Sequence, residues 1–314
     1  MPFRKLIIPI LVGLFNITLL AFPREALGAA REGLLLWFHT VLPSLLPFAV
    51  GMNILIKLGF MRFFGECITP LTKKVFGVGG AGGVAFITGV TSGYPIGAKV
   101  IGDLYREGDV KADEAQRLMA FCNNAGPLFI VGAVGLGMFG DAKAGYILWA
   151  GHILGALAIG LLGRFMRGTV KEKDNRRTRK DAGHLRTEPF GKVLGESVGN
   201  AMEAMVLVGG LIIFFNVFFC ILHTIFKPDD MIIGGLINGL LEVSGGARMI
   251  SAHGPDAISL SAAAFVIAFG GLSVHAQAMH FTVGTGVKAG IYLSHKLLHG
   301  ILAAVFTTFL WLLT

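Results

Sequence analysis

Long uncharged stretches alternate with short charged ones along the whole chain, and the longest approach the roughly 20 residues that a helix needs to cross a bilayer. The pattern predicts helices at about Leu6 to Phe22, Gly33 to Lys57, Glu114 to Phe139, Lys143 to Met166, Leu194 to His223, Ala257 to Val283 and Val287 to Leu312. Two further apolar stretches, Val75 to Tyr105 and Met231 to His253, are each broken in the middle by turn chemistry, "TSGYPIG" in the first and "EVSGGA" in the second. These runs are too long and too continuously apolar for the alternating strands of a barrel, and lipid offers backbone groups no hydrogen-bond partner, so the spans are read as helices.

Charge placement decides how the broken stretches run. With Arg4 and Lys5 in the cytoplasm, seven spans and two re-entrant hairpins leave Lys57, Arg62, Lys73, Lys74, Arg106, Lys111, Arg117 and Lys288 inside. The run from Arg164 to Arg186, nine basic residues against Glu172, Asp174 and Asp181, falls on the same side. The outside receives Arg24, Arg31, Lys143 and Lys227, offset by Glu25, Glu32, Asp141, Asp229, Asp230 and Asp256. Treating only the first broken stretch as a full span would weaken this bias. The N-terminus is therefore read as cytoplasmic and the C-terminus as lying on the opposite side.

After the first helix the chain then reads span, hairpin from the inside, span, span, followed by span, hairpin from the outside, span, span. The second set is the first turned upside down, the inverted repeat of many secondary transporters. "GAKVI" (Gly97 to Ile101) echoes "GARMI" (Gly246 to Ile250), and the span after each hairpin is interrupted, by "CNNAGP" at Cys122 and by "GGLSVHAQ" at Gly270. The fold class is an all-α polytopic membrane protein, with an N-terminal transmembrane helix over 1–32, a first repeat over 33–167, a basic cytoplasmic loop over 168–192 and an inverted repeat over 193–314. Arg4, Lys5, the apolar run to Phe22 and "REALGAA" also have the form of a cleaved secretory signal, which would leave the same downstream topology.

Composition agrees: 54% of residues are hydrophobic, 15% are charged and mean hydropathy is +0.71. The net charge of +8 does not indicate nucleic acid, because the basic loop alone carries a third of the Lys and Arg and follows the positive-inside rule toward membrane lipid. Cys67, Cys122 and Cys220 lack metal or disulfide spacing.

A hairpin tip or an unwound helix inside the membrane is tolerated only where protein or a polar cavity satisfies its backbone, so the breaks mark a ligand site. Half-helices starting at Pro95 and Gly246 would point positive ends at the tips, with Lys99 and Arg248 about one turn inside, which favours an anion. Against this, Lys99 can snorkel to the interface and Arg248 can pair with Glu242. Ser92, Gly93, Tyr94, Ser244 and Gly245 form the tips, although turns employ Ser for local reasons too. Asn123 and Asn124 either contact substrate or cap the broken helix, and Ser273 and Gln277 occupy the matching place in the other half. Glu242 and His275 are candidates for ion or proton coupling, while His275 has helix packing as its alternative role. The coupling ion, H+ or Na+, is left open.

No enzyme motif is convincing and no cofactor is indicated. "HKLLH" (His295 to His299) has two histidines at i and i+4 but lacks the Glu of HExxH and a third ligand, and "GVGGAGG" lacks the strand context of a dinucleotide site.

"SGYPIGAK", "EAQRLMAFCNNAGPLFIVGAVGLGMF", "EVSGGARMI" and "FGGLSVHAQ" with "LLHGILAAVFTTFLW", in this order, resemble the YlbJ (SpoVV) family of sporulation integral membrane proteins with nucleoside-recognition Gate domains, from about Gly33 to the C-terminus. The resemblance implies two Gate-type repeats and a likeness to concentrative nucleoside transporters, in which paired hairpins and unwound helices form the substrate site. It also implies movement of dipicolinic acid across the outer forespore membrane during endospore formation. On that reading Lys99 and Arg248 would each hold one carboxylate of this flat aromatic dianion. A nucleoside or other neutral-metabolite carrier and a non-transporting scaffold are the rival readings. Other sporulation membrane proteins or a second copy of the chain are candidate partners.

Overall fold

The computed structural model describes residues 2–167, 189–226 and 231–314, and every regular element among them is a helix. Helix α1 is Pro2–Ala21; α2, Pro23–Leu36, runs through a π-helical turn, Trp37–Val41, into α3, Leu42–Lys57. Helix α4 is Phe60–Phe76, α5 Gly80–Ser92, α6 Ile96–Arg106 and α7 Ala112–Cys122. A π-helical segment, Leu128–Met138, leads to α8, Ala142–Arg167. Then come α9 Phe190–Phe226, α10 Met231–Leu241, α11 Val243–Ser251, α12 Ala257–Phe269, α13 Gly271–Phe281 and α14 Ala289–Leu312.

Among the described residues four stretches are long and apolar enough to cross a membrane: Ala142–Phe165, Phe190–Thr224, Ala257–Phe281 and Ala289–Leu312. Two bent pairs, Pro9–Ala21 with Pro23–Val41 at 102° and Cys67–Phe76 with Gly80–Ser92 at 91°, bring the total to six if each is one span, against the seven expected. Large apolar side chains such as Leu27, Phe165, Val206 and Val305 are exposed on the outside of the bundle, the placement that lipid favours and water does not. The basic loop lies outside the described residues over 168–188, as do residues 227–230 with Lys227, Asp229 and Asp230.

Both broken stretches are helix pairs. The first breaks at Gly93–Pro95, between α5 and α6, and the second at Glu242, between α10 and α11. The second leg therefore starts at Val243 rather than at the expected Gly246, because Glu242 caps it: Oε1 accepts from the Ser244 N–H (3.0 Å) and Oε2 from the Gly245 N–H (2.7 Å). The following spans are interrupted as the sequence implied. Helix α7 stops at Cys122, the chain is non-helical through Gly126, and helix resumes in π form. The other interruption is a sharp left-handed pair, Gly270 (φ 92°) and Gly271 (φ 70°), placed just before Ser273 rather than spread across the motif.

Glycine spacing explains why the hairpins close so tightly. A Cβ on Gly97 would stand 2.5 Å from the Cys122 carbonyl oxygen and 3.2 Å from the Gly89 Cα, so the legs of the first hairpin cross against the end of α7. On Gly246, the matching residue of the second echo, a Cβ would run into the Gly239 backbone and stand 2.7 Å from the Gly235 oxygen. The tips abut the interruptions in the same way. Gly93 (φ 78°) packs on the Gly126 amide, and Gly271 lies against the carbonyls of Gly239 and Leu241. The order of elements and these close approaches recur in the two halves.

Helices α8 and α14 lie side by side through small residues: a Cβ on Gly151 would meet Thr307, and one on Gly155 would meet His299 and Ala303. Asp256 caps α12, accepting from the Ser259 N–H (2.7 Å), a bond that holds its carboxyl below the usual carboxylate range.

Candidate functional site

The two hairpin tips and the two interruptions meet at one small pocket. Ser92 and Tyr94 come from the first tip, Glu242, Val243 and Ser244 from the second, Gly126 and Phe129 from the first interruption, and Ser273, Val274 and Gln277 from the second. Val41, Leu45, Val208 and Ile212 close an apolar wall. The cavity volume is about 30 Å³, enough for a water or two but well below a small-molecule site, so a small molecule would fit only with the tips parted.

Three polar atoms around this pocket are buried without a partner among the described residues: Ser92 Oγ, Tyr94 Oη and Gln277 Oε1. Leaving such a group unpaired costs about 1–3 kcal/mol, and the three converge on one cavity. Tyr94 also presents its ring 6.4 Å from that of Phe129. Gln277 Nε2 lies 3.4 Å from Ser273 Oγ.

Asn123 and Asn124 are fully buried but do not line the pocket. The Asn123 amide donates to the Tyr292 hydroxyl (2.7 Å), the Asn124 amide caps the Phe121 carbonyl (2.6 Å), and the Asn124 carbonyl accepts from the Tyr94 N–H (2.5 Å). They hold the unwound segment in shape and lock it to the first tip. His275 is outside the pocket lining, 3.4 Å from the Tyr292 hydroxyl and edge-on to Phe269. Gly93 and Gly245 are buried in the tips themselves.

The cations fall elsewhere. Arg248 is exposed and bonds Glu32 on α2 (3.3 Å), not Glu242, and Lys99 is half-buried outside the pocket lining. The reason is helical geometry. Two residues advance the helix by about 200°, so once Gly97 and Gly246 face the partner leg, Lys99 and Arg248 face away. The two-cation clamp is not what the structure assembles. Arg248→Ala is accordingly expected to cost about 0–1 kcal/mol, the worth of an exposed pair, and Arg248→Ala and Lys99→Ala to change substrate binding by less than about threefold in an equilibrium titration. A tenfold loss in either variant would restore the clamp.

Sequence reasoning passed over Lys296, which is fully buried on α14 together with His299, close to the unwound segment and to His152 of α8. The available signal was a lysine in the middle of a long apolar helix, where a charge is expensive.

Residues 38–142 match the family model Gate, described as nucleoside recognition. The chain is 34% identical to the sporulation integral membrane protein YlbJ of Bacillus subtilis strain 168, with 94% of this chain and 79% of that protein aligned. No solved structure gives a match. With four to six apolar spans among the described residues, paired broken helices and this identity over nearly its full length, the chain belongs to the YlbJ family of multi-pass sporulation integral membrane proteins.

Proposed function

We propose that this protein is a membrane carrier for a small organic acid, dipicolinate in a cell forming endospores, bound between the two hairpin tips and exchanged across the membrane by alternating access of two inverted repeats. The observation that carries this reading is the pocket with three unpartnered polar atoms, Ser92 Oγ, Tyr94 Oη and Gln277 Oε1, at the meeting point of both hairpins and both interruptions. Hydroxyls at Ser92 and Tyr94 donate to carboxylate oxygens, and the apolar wall with Tyr94 and Phe129 suits a flat ring. The relationship to a sporulation protein supports a role in that process, and the outer forespore membrane is the place where such a carrier would act.

Glu242 favours a second reading. It is a buried carboxylate in a pocket whose lining has no cation, and it would accept hydrogen bonds from the hydroxyl or N–H groups of a neutral substrate such as a nucleoside. Uptake of labelled dipicolinate into proteoliposomes, with uridine as competitor, separates the two. Dipicolinate uptake at least tenfold above protein-free vesicles, indifferent to excess uridine, is the expected result. Uridine uptake without dipicolinate uptake would transfer the site to neutral substrates, and uptake of neither would leave no carrier.

A further inference from the structure

The unwound segment 123–126 has two sides. On the pocket side the Asn124 carbonyl accepts from the Tyr94 N–H and Gly126 lines the cavity. On the other side Lys296 Nζ donates to the Asn123 carbonyl (3.0 Å) and the Ala125 N–H donates to His152 Nε2 (3.1 Å). Lys296 Nζ also lies 3.0 Å from His299 Nδ1, and His299 Nε2 lies 3.0 Å from the His152 carbonyl. The two imidazoles are 4.7 Å apart, and all three side chains are at most 1% exposed.

The other titratable groups close by are Tyr292, one turn earlier on α14 and bonded by Asn123, and His275 of α13, which touches the Tyr292 hydroxyl. Glu242 and Tyr94 stand on the pocket side of the segment. Among the described residues no carboxylate makes an ion pair with Lys296.

Counting hydrogens fixes the roles. The His152 carbonyl can only accept, so His299 carries its hydrogen on Nε2 and offers the Nδ1 lone pair to Lys296. Lys296 thus has two acceptors, both uncharged, which the two N–H groups of an amine satisfy. An ammonium brings a third N–H and a full charge, for which the described residues supply neither an acceptor nor a counter-ion. His152, accepting from Ala125 at Nε2, has its other nitrogen without a partner.

We propose that Lys296, held by His299 and the Asn123 carbonyl against the back of the substrate pocket, is the site that takes up the proton coupled to transport. An anion at Ser92, Tyr94 and Gln277 supplies, across one strand of backbone, the negative charge that a protonated Lys296 lacks, so anion and proton bind together and leave together. On the loading side the Nζ lone pair takes a proton from hydronium and a new N–H bond forms. On the release side that bond breaks and the proton returns to water. The result is proton–anion symport, with the segment 123–126 as the shared wall.

This inference rests on the carrier reading, and the test distinguishes their failures. Proteoliposomes loaded with a pH-sensitive dye are given labelled dipicolinate in two modes: exchange against internal dipicolinate without a gradient, and accumulation driven by an acidic exterior. The intact protein is expected to accumulate dipicolinate at least tenfold under the gradient, with the dye reporting proton entry. Lys296→Met is expected to lose the accumulation and the dye signal by at least tenfold, and to lose more of them than of exchange. His299→Gln, which keeps an acceptor for Lys296 and a donor for the His152 carbonyl, is expected to shift the pH of half-maximal accumulation by about one unit and covers the case in which the methionine variant does not fold. Accumulation by Lys296→Met equal to that of the intact protein, an unshifted profile in His299→Gln, or active exchange by an intact protein that shows no proton entry with dipicolinate under the gradient overturns the proton site alone. No exchange by the intact protein overturns the carrier reading and this one with it.

Discussion

Replacing Gly97 by valine is expected to leave no correctly folded protein in the membrane. The added atoms meet the Cys122 carbonyl oxygen at 2.5 Å and the Gly89 Cα at 3.2 Å, and both obstacles are backbone, which cannot swing aside as a flexible side chain would. Overpacking a well-filled interior typically costs about 1–3 kcal/mol, and a backbone obstacle on two sides places this case at or beyond the upper end. The hairpin legs would have to separate, carrying the tip away from Gly126 and dismantling the pocket. Gly246→Val is expected to do the same to the second hairpin through Gly235 and Gly239. Gly210, in the span α9, has nothing within 4 Å of its absent Cβ, so Gly210→Ala serves as the control and should extract and elute like the parent. Size-exclusion profiles of fluorescently tagged variants read the difference directly; a monodisperse Gly97→Val protein with parental thermal stability would contradict the crossing.

Glu242→Ala is expected to have the next largest effect. The carboxylate accepts from the N–H groups of Ser244 and Gly245 at the buried start of α11, and its loss orphans both, at about 1–3 kcal/mol each. The second tip should fray and ligand-induced stabilisation should disappear. Glu242→Gln separates cap from charge, since the amide oxygen keeps one of the two bonds. If dipicolinate is the substrate, Glu242→Gln removes a like charge from the pocket and should bind it at least as tightly as the parent. If the substrate is a neutral donor, the same variant should weaken binding by about tenfold. Thermal-shift titrations with dipicolinate and with uridine on both variants read each outcome.

Much of this arrangement is legible in the residues. Ser-Gly-Tyr-Pro and Glu-Val-Ser-Gly-Gly are turn and cap chemistry inside apolar runs; they locate the first tip at Gly93–Pro95, while the second break falls at Glu242, before the expected helix start at Gly246. The Gly97 and Gly246 echo marks the crossings, and Asn-Asn-Ala-Gly-Pro marks the unwound segment. What the sequence hid is rotation and register. "GAK" and "GAR" show a cation near each tip but not its face, and the two-residue offset turns Lys99 and Arg248 away once the glycines face inward. The pattern predicts no helix over most of α4, where basic residues and Pro70 interrupt the apolar positions, although it packs beside α5. The expected span Gly33 to Lys57 is interrupted by the π-helical turn at Trp37–Val41, a local change with no composition of its own. In "HKLLH" the histidine pair drew attention to metal, whereas Lys296 and His299, three apart and on one face, are the residues that meet the unwound segment.

The central claim is that the substrate sits between the hairpin tips, on Tyr94 and Gln277. Equilibrium binding of labelled dipicolinate to the purified protein and to a Tyr94→Phe/Gln277→Leu double variant tests it most directly, because it removes two oxygens that have no protein partner, gives up only the 3.4 Å contact of Gln277 with Ser273, and keeps the side-chain volume. The account predicts saturable binding that weakens at least tenfold in the double variant while its melting temperature stays at or above that of the parent. Unchanged dipicolinate binding in a folded double variant would contradict it and move the site elsewhere in the bundle.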